Sequence, residues 1–210
     1  MNTRLVETAT PTILKLLEAA QRLMLGKGFP ATTVEEICAA AGVTKGSFFH
    51  YFAGKEEIGA AVLDHFVTGR MQAVRGAPCS CWRDPLKRVY GYVDFMIKLS
   101  REPSAQLSCL LGNFAQELSD THPKLRAQCG RHFDQWAQML KRDLDAAKAR
   151  YAPKTAFDTQ SLAEHFIAVL EGALILVKAK QDRKILERQL RHYKSYLQSL
   201  FAVDSRGKCR

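Results

Sequence analysis

The chain has 210 residues, 47% of them hydrophobic, with 31 Lys and Arg against 21 Asp and Glu for a formal charge of +10. That is enough apolar material to build a sizeable helical core, alone or beside a small second domain, without disulfide or metal staples. No stretch reaches the roughly 20 apolar residues that span a bilayer, because Glu171 interrupts even the run Phe166–Val177, and no charged N-terminal segment leads into an apolar one as in a secretion signal.

A cytoplasmic protein with no membrane partner is therefore expected, and its six cysteines (Cys38, Cys79, Cys81, Cys109, Cys129 and Cys209) read as reduced thiols. The basic balance favours an anionic partner, nucleic acid ahead of a membrane surface. Part of the excess sits near the C-terminus, from Lys178 to Lys194, where a solvated helix face accounts for it.

Helical periodicity runs from end to end, and no alternating β-branched run reads as a strand. The expected fold is all-α with about nine helices. Thr10 before Pro11 starts the first, whose stripe is Ile13, Leu16, Leu17, Ala20, Leu23 and Met24, and Gly26 and Gly28 stop it. Thr33 and Glu36 have the spacing of a capping box, after which Val34, Ile37, Cys38 and Ala41 share one face. Gly42 lets the backbone leave that helix sharply with positive φ, and Val43 plugs the angle. Thr44 caps a third helix ending near Phe52, Ala53-Gly54 break the pattern, and Lys55 opens a longer helix to about Val74. Residues 78–81 form a loop. Helices then cover 84–101, 105–119, 123–150, 159–180 and 183–201, punctuated by Pro103, Pro123 and Pro153.

Two short helices joined at Ala41-Gly42-Val43 are what a helix-turn-helix requires, and residues 33–52 supply them. The second would present Thr44, Lys45, Ser47, His50 and Tyr51, donors and a cation with almost no acid, while Phe48 and Phe52 pack inward. Such a face suits phosphates and base edges, and Gly46 allows the backbone to come close. Residues 1–55 are accordingly assigned to a DNA-binding domain and 56–210 to a larger helical domain.

The segments GKGF, ATTVEEICAAAGV, TKGSFFHYF and KEEI together resemble the N-terminal signature of TetR-type bacterial transcription regulators, over about residues 10–65. The resemblance implies that Thr44 starts the recognition helix, that positions 45–47 and 50–51 meet DNA, and that Lys55 binds phosphate at a helix N-terminus. Thr33 and Phe49 complete the expected DNA-binding set of Thr44, Lys45, Gly46, Ser47, His50, Tyr51 and Lys55. Phe49 departs from the family, which usually has Tyr there, so a phosphate-contacting hydroxyl is missing. The implied function is a homodimeric repressor released from a palindromic operator by a small-molecule or electrophile effector. The alternative is a helical protein-interaction module whose helix-turn-helix no longer binds DNA. No Gly-rich phosphate loop, nucleophile elbow or paired metal-ligand motif is present, so no catalytic residue, cofactor or metal is expected.

Farther along, Leu162, Phe166, Leu170, Ala173 and Val177 form one apolar seam and Leu186, Leu190, Tyr193, Leu197 and Leu200 another. Either the two seams meet those of a second subunit, as in the TetR dimer contact they resemble, or both bury internally. The dimer is the reading adopted, since two recognition helices about 34 to 36 Å apart read successive grooves of a palindrome. The segment SCLLGNFAQELSDTHPKLR, residues 108–126, resembles one subgroup of TetR-type ligand domains, in which the cysteine matching Cys109 lies near the effector pocket and in some members reacts with electrophiles or oxidants. A plain buried cysteine is the other reading, and a Cys79/Cys81 switch is a third place for thiol chemistry. Phe95, Met96, Leu99, Cys109, Phe114, Trp136, Met139 and Phe166 are the candidates for an effector pocket, or else ordinary core.

Overall fold

A computed structural model of the chain describes residues 10–103 and 106–202. Among these are nine α-helices and no strand: α1 (Pro11–Lys27), α2 (Val34–Ala41), α3 (Lys45–Tyr51), α4 (Lys55–Arg75), α5 (Pro85–Arg101), α6 (Leu110–Leu118), α7 (Pro123–Tyr151), α8 (Thr159–Lys180) and α9 (Lys184–Ala202). The expected loop at 78–81 is a single 3-10 turn, Pro78–Cys81. No helix among the described residues is long and apolar enough to cross a membrane.

Contacts group the residues into two compact units. Among the described residues, the first takes 10–72 together with Ser108–His132, and the second takes 73–103, 106–107 and 133–202. A division at residue 55, drawn from the motif alone, thus falls inside the first unit. The reason is that α6 and the start of α7 complete the core under the N-terminal helices.

Local rules set the first unit. Thr10 caps α1 by accepting the Ile13 N–H, and the helix runs through Gly26 to end at Gly28, whose φ of 87° places it where L side chains are strained. Thr33 and Glu36 form the reciprocal capping box on α2, and Gly42 leaves that helix in the left-handed region at φ 65°. Phe29 is the hub. Its ring meets those of Phe114 and His122 edge-on, each at 5.3 Å. Its N–H donates to Glu117 Oε2 at 2.8 Å, 88 residues away in sequence. A Cβ at Gly59 would stand 2.8 Å from the Phe29 ring, so only glycine lets α4 pass this close. Gln128 Nε2 donates to Asp64 at 2.8 Å, and His132 Nε2 lies 2.8 Å from the same oxygen, pinning α7 to α4. Burial works to raise the Asp64 carboxyl, but those two hydrogen bonds outweigh it and leave the group below its ordinary value.

The expected helix at 105–119 begins only at Leu110. Residues 106–109 are not helical; Ser108 and Cys109 are buried there, and the Asn113 amide reaches back to Ser108 Oγ at 3.3 Å.

In the second unit, Asp84 caps α5 and Asp158 caps α8 through their carboxylates. The Arg88 guanidinium holds Asp143 on α7 and also donates to the carbonyls of Trp82 and Arg83. Phe166 lies at the centre of an aromatic cluster, 5.3 Å from the rings of both Tyr92 and Tyr193. α9 packs against α8 and α5.

Candidate nucleic-acid interface

α3 has seven residues, under two turns. Thr44 precedes it in extended backbone and accepts the Ser47 N–H at 3.1 Å, which fixes where the helix starts and hence which side faces out. Phe48 and Phe52 are buried and anchor the inner side. Thr44, Lys45, Gly46, Phe49 and His50 are exposed, and Ser47 and Tyr51 half-buried. Burying Phe48 stabilises the docking of α3 by about 1.5–3 kcal/mol.

Three members of the expected set are engaged within the chain, Thr33 as its capping-box spacing implies and Lys45 and Lys55 through contacts not read from the sequence. The Lys45 ammonium is ion-paired with Glu35 in the first turn of α2, and that contact holds the Glu35 carboxyl below the usual carboxylate range. Lys55 is half-buried, and its Nζ donates to the carbonyls of Phe29 and Pro30 at 3.2 Å each, lying 4.7 Å from the Phe29 ring centre. Here it closes the α1–α2 loop. The Thr33 hydroxyl is committed to Glu36 within the capping box. The Glu35 contact had a readable signal, opposite charges in the first turns of two consecutive helices; the Lys55 carbonyls had none.

The second unit holds a partly open cavity of about 220 Å³. Val89, Tyr92, Val93, Met139, Phe166 and Tyr193 line much of it, with Cys79, Ser80 and the Arg88–Asp143 pair among its polar lining. Of the eight expected pocket residues, Met139 and Phe166 are in this lining. Trp136 is not in it, but its Nε1 donates to the hydroxyl of the lining residue Tyr92 at 2.8 Å. Phe95, Met96 and Leu99 are half-buried outside it; Met96 and Leu99 lie one and two turns along α5 from Tyr92, beyond the cavity. Cys109 and Phe114 belong to the first unit and are buried there.

Burial pushes the Cys79 thiol up, opposite to what a reactive thiolate needs. Cys79 and Cys81 are both free thiols, and Cys209 lies outside the described residues. Among the described residues no group of three or more His, Cys, Asp or Glu is placed to hold a metal ion.

The expected dimer seams need correction. Leu162, Phe166, Leu170, Ala173 and Val177 of α8, and Leu186, Leu190, Tyr193 and Leu197 of α9, are all buried within the chain itself, with Leu200 half-buried. They hold α8, α9 and α5 together. The large apolar side chains exposed on these two helices are Ile175, Leu176 and Tyr196.

Joined at Gly42 and docked through Phe48 and Phe52, α2 and α3 have the arrangement of a helix-turn-helix, the class of fold that DNA-binding regulators use. Within that class the chain belongs to the tetR family. The model for bacterial regulatory proteins of the tetR family matches residues 16–62, and that for the tetracyclin repressor-like C-terminal domain matches residues 85–193. The chain is 28% identical over 181 residues to the HTH-type transcriptional repressor DhaR of Mycobacterium sp. (strain GP1), covering 86% of this chain and 89% of that one. It is 28% identical over 163 residues to the transcriptional regulator AcuR of Cereibacter sphaeroides, covering 78% and 74%. Among solved structures, a regulatory protein TetR from Rhodobacter sphaeroides superposes with a TM-score of 0.77 at 26% identity, over 88% of this chain and 97% of that one.

Proposed function

We propose that the chain is a homodimeric repressor that sets α3 of each protomer into successive major grooves of a palindromic operator and leaves the DNA when a small molecule occupies the cavity of the second unit. The observation that carries this reading is the outward side of α3, where Lys45, Gly46, Phe49 and His50 are exposed around a fixed Thr44 cap. The named repressor among the relatives supports repression as the output.

The surface around Ile175, Leu176 and Tyr196 is the part of α8 and α9 we assign to the partner protomer. Cavity size and its largely apolar lining favour a compact effector of about one ring, since a cavity of roughly 150 Å³ already accommodates benzene. The buried state of Cys79 and Cys109 supports non-covalent binding over reaction with an electrophile. The 108–126 segment supports placement in the subgroup it resembles; here its Phe114 and Glu117 brace Phe29.

Selection of duplex fragments by the purified protein, followed by sequencing, tests the reading. A recovered inverted repeat that binds less tightly as salt rises is the expected result. Absence of any preferred sequence, or binding indifferent to salt, would instead leave a helical module that interacts with protein.

A further inference from the structure

We infer that the Phe49 ring reads the 5-methyl group of a thymine, which makes it a residue that sets operator sequence; this rests on α3 being the element that enters the groove. At 100° per residue, the buried Phe48 and the half-buried Ser47 and Tyr51 mark the inner side of α3, and Gly46, Phe49 and His50 fall near the middle of the outer one. Phe49 is 55% exposed, the most exposed large hydrophobic side chain among the described residues. An aromatic ring left in water at the centre of a DNA-facing surface gains from any partner that removes it from solvent.

The chemistry of the groove narrows that partner. A phenyl ring has neither donor nor acceptor, so it cannot bond a phosphate oxygen or a polar base edge. The apolar feature that distinguishes one base pair from another in the major groove is the thymine methyl. The ring is also oriented before binding, packing edge-on against the buried Phe48 at 5.2 Å and 82°. Its neighbours leave it uncovered. Gly46 has no side chain, Lys45 is paired with Glu35, and the His50 ring packs against Tyr51 at 4.7 Å.

The test uses the full chain and the operator recovered by selection, with each thymine replaced in turn by deoxyuridine, which removes only the methyl. Fluorescence anisotropy of wild type should show one position per half-site where the replacement weakens binding roughly fourfold, the transfer of one methyl group. Phe49→Ala should bind the thymine and deoxyuridine operators equally, with an unchanged thermal melt. Because the replacement lies in the DNA, the wild-type arm stands even if the variant folds poorly. The inference is overturned if wild type binds its operator specifically yet ignores every replacement, which points to a sugar contact, or if Phe49→Ala keeps the same sensitivity, which assigns the methyl to another residue. Failure to find any preferred operator removes the proposed function itself, and this inference with it.

Discussion

The α2–α3 pair and the α8–α9 pair are both amphipathic, yet they differ in what their sequences determine. In the first, a cap at each helix start and one left-handed glycine set the phase, so the outer side follows almost residue by residue. In the second, an apolar stripe says which side is covered but not by what. The seams suited to a second subunit turn out to close the chain on itself, and the outward apolar side chains are others, Ile175, Leu176 and Tyr196. A stripe reports burial; a cap reports direction.

The neighbouring pair Phe48 and Phe49 gives the largest expected contrast. Phe48→Ala should lower stability by about 3–5 kcal/mol, since the buried ring leaves a cavity, and should abolish operator binding with it. Phe49→Ala should leave the denaturant midpoint nearly unchanged. Equal losses would mean that α3 does not turn Phe48 inward and Phe49 outward.

The second contrast lies between the seam and the outward side of the C-terminal helices. Ile175→Glu with Leu176→Glu should yield a folded monomer by sedimentation, with operator affinity reduced on the order of a hundredfold because the two heads no longer bind as one. Leu170→Glu should instead unfold the second unit. A dimer that survives the first pair of changes would place the partner elsewhere.

Smaller effects probe the polar contacts. Lys55→Ala should weaken all DNA sequences alike and reduce the salt slope by about one. It should also lower stability by about 1 kcal/mol, through loss of hydrogen bonds to the Phe29 and Pro30 carbonyls. A change in DNA affinity without a change in melt would show that those carbonyl bonds contribute nothing. Glu35→Gln should tighten binding roughly two- to fivefold, the range of an exposed ion pair, and should have no effect once Lys45 is Ala.

What could be read from the sequence follows the range of each interaction. Thr10, Thr33, Gly42 and Thr44 act within a few residues, and each behaves as its spacing requires. The unit boundary was not legible, because it depends on Glu117 and Phe114 meeting Phe29 from far along the chain. The cavity was half legible. The inward side of α5 can be counted off, but that Met139 and Phe166 line the cavity with Val89, Tyr92 and Val93, and not with Met96 and Leu99, follows only from how the helices pack. Nor does the sequence signal that Gln181 ends α8 in the left-handed region at φ 52°, a place usually taken by glycine.

The smallest expected effect concerns the capping box that fixes α2. Hydrogen bonds from Lys27 and from Thr33 hold the Glu36 carboxyl at about 2, against an ordinary 4.5. A carboxyl lowered in the folded state stabilises that state when ionised, so its contribution is whole above pH about 4.5 and fades as pH falls toward 2. Other lowered carboxyls, such as Asp84, Asp145 and Glu187, titrate in the same direction and would mask it in a simple acid titration. Comparing wild type with Glu36→Gln removes them, because they are common to both. The difference in melting temperature should be greatest near neutrality and shrink steadily through that acid window. A difference that stays constant down to the lowest pH would mean that the shape of the side chain, rather than its charge, holds the start of α2.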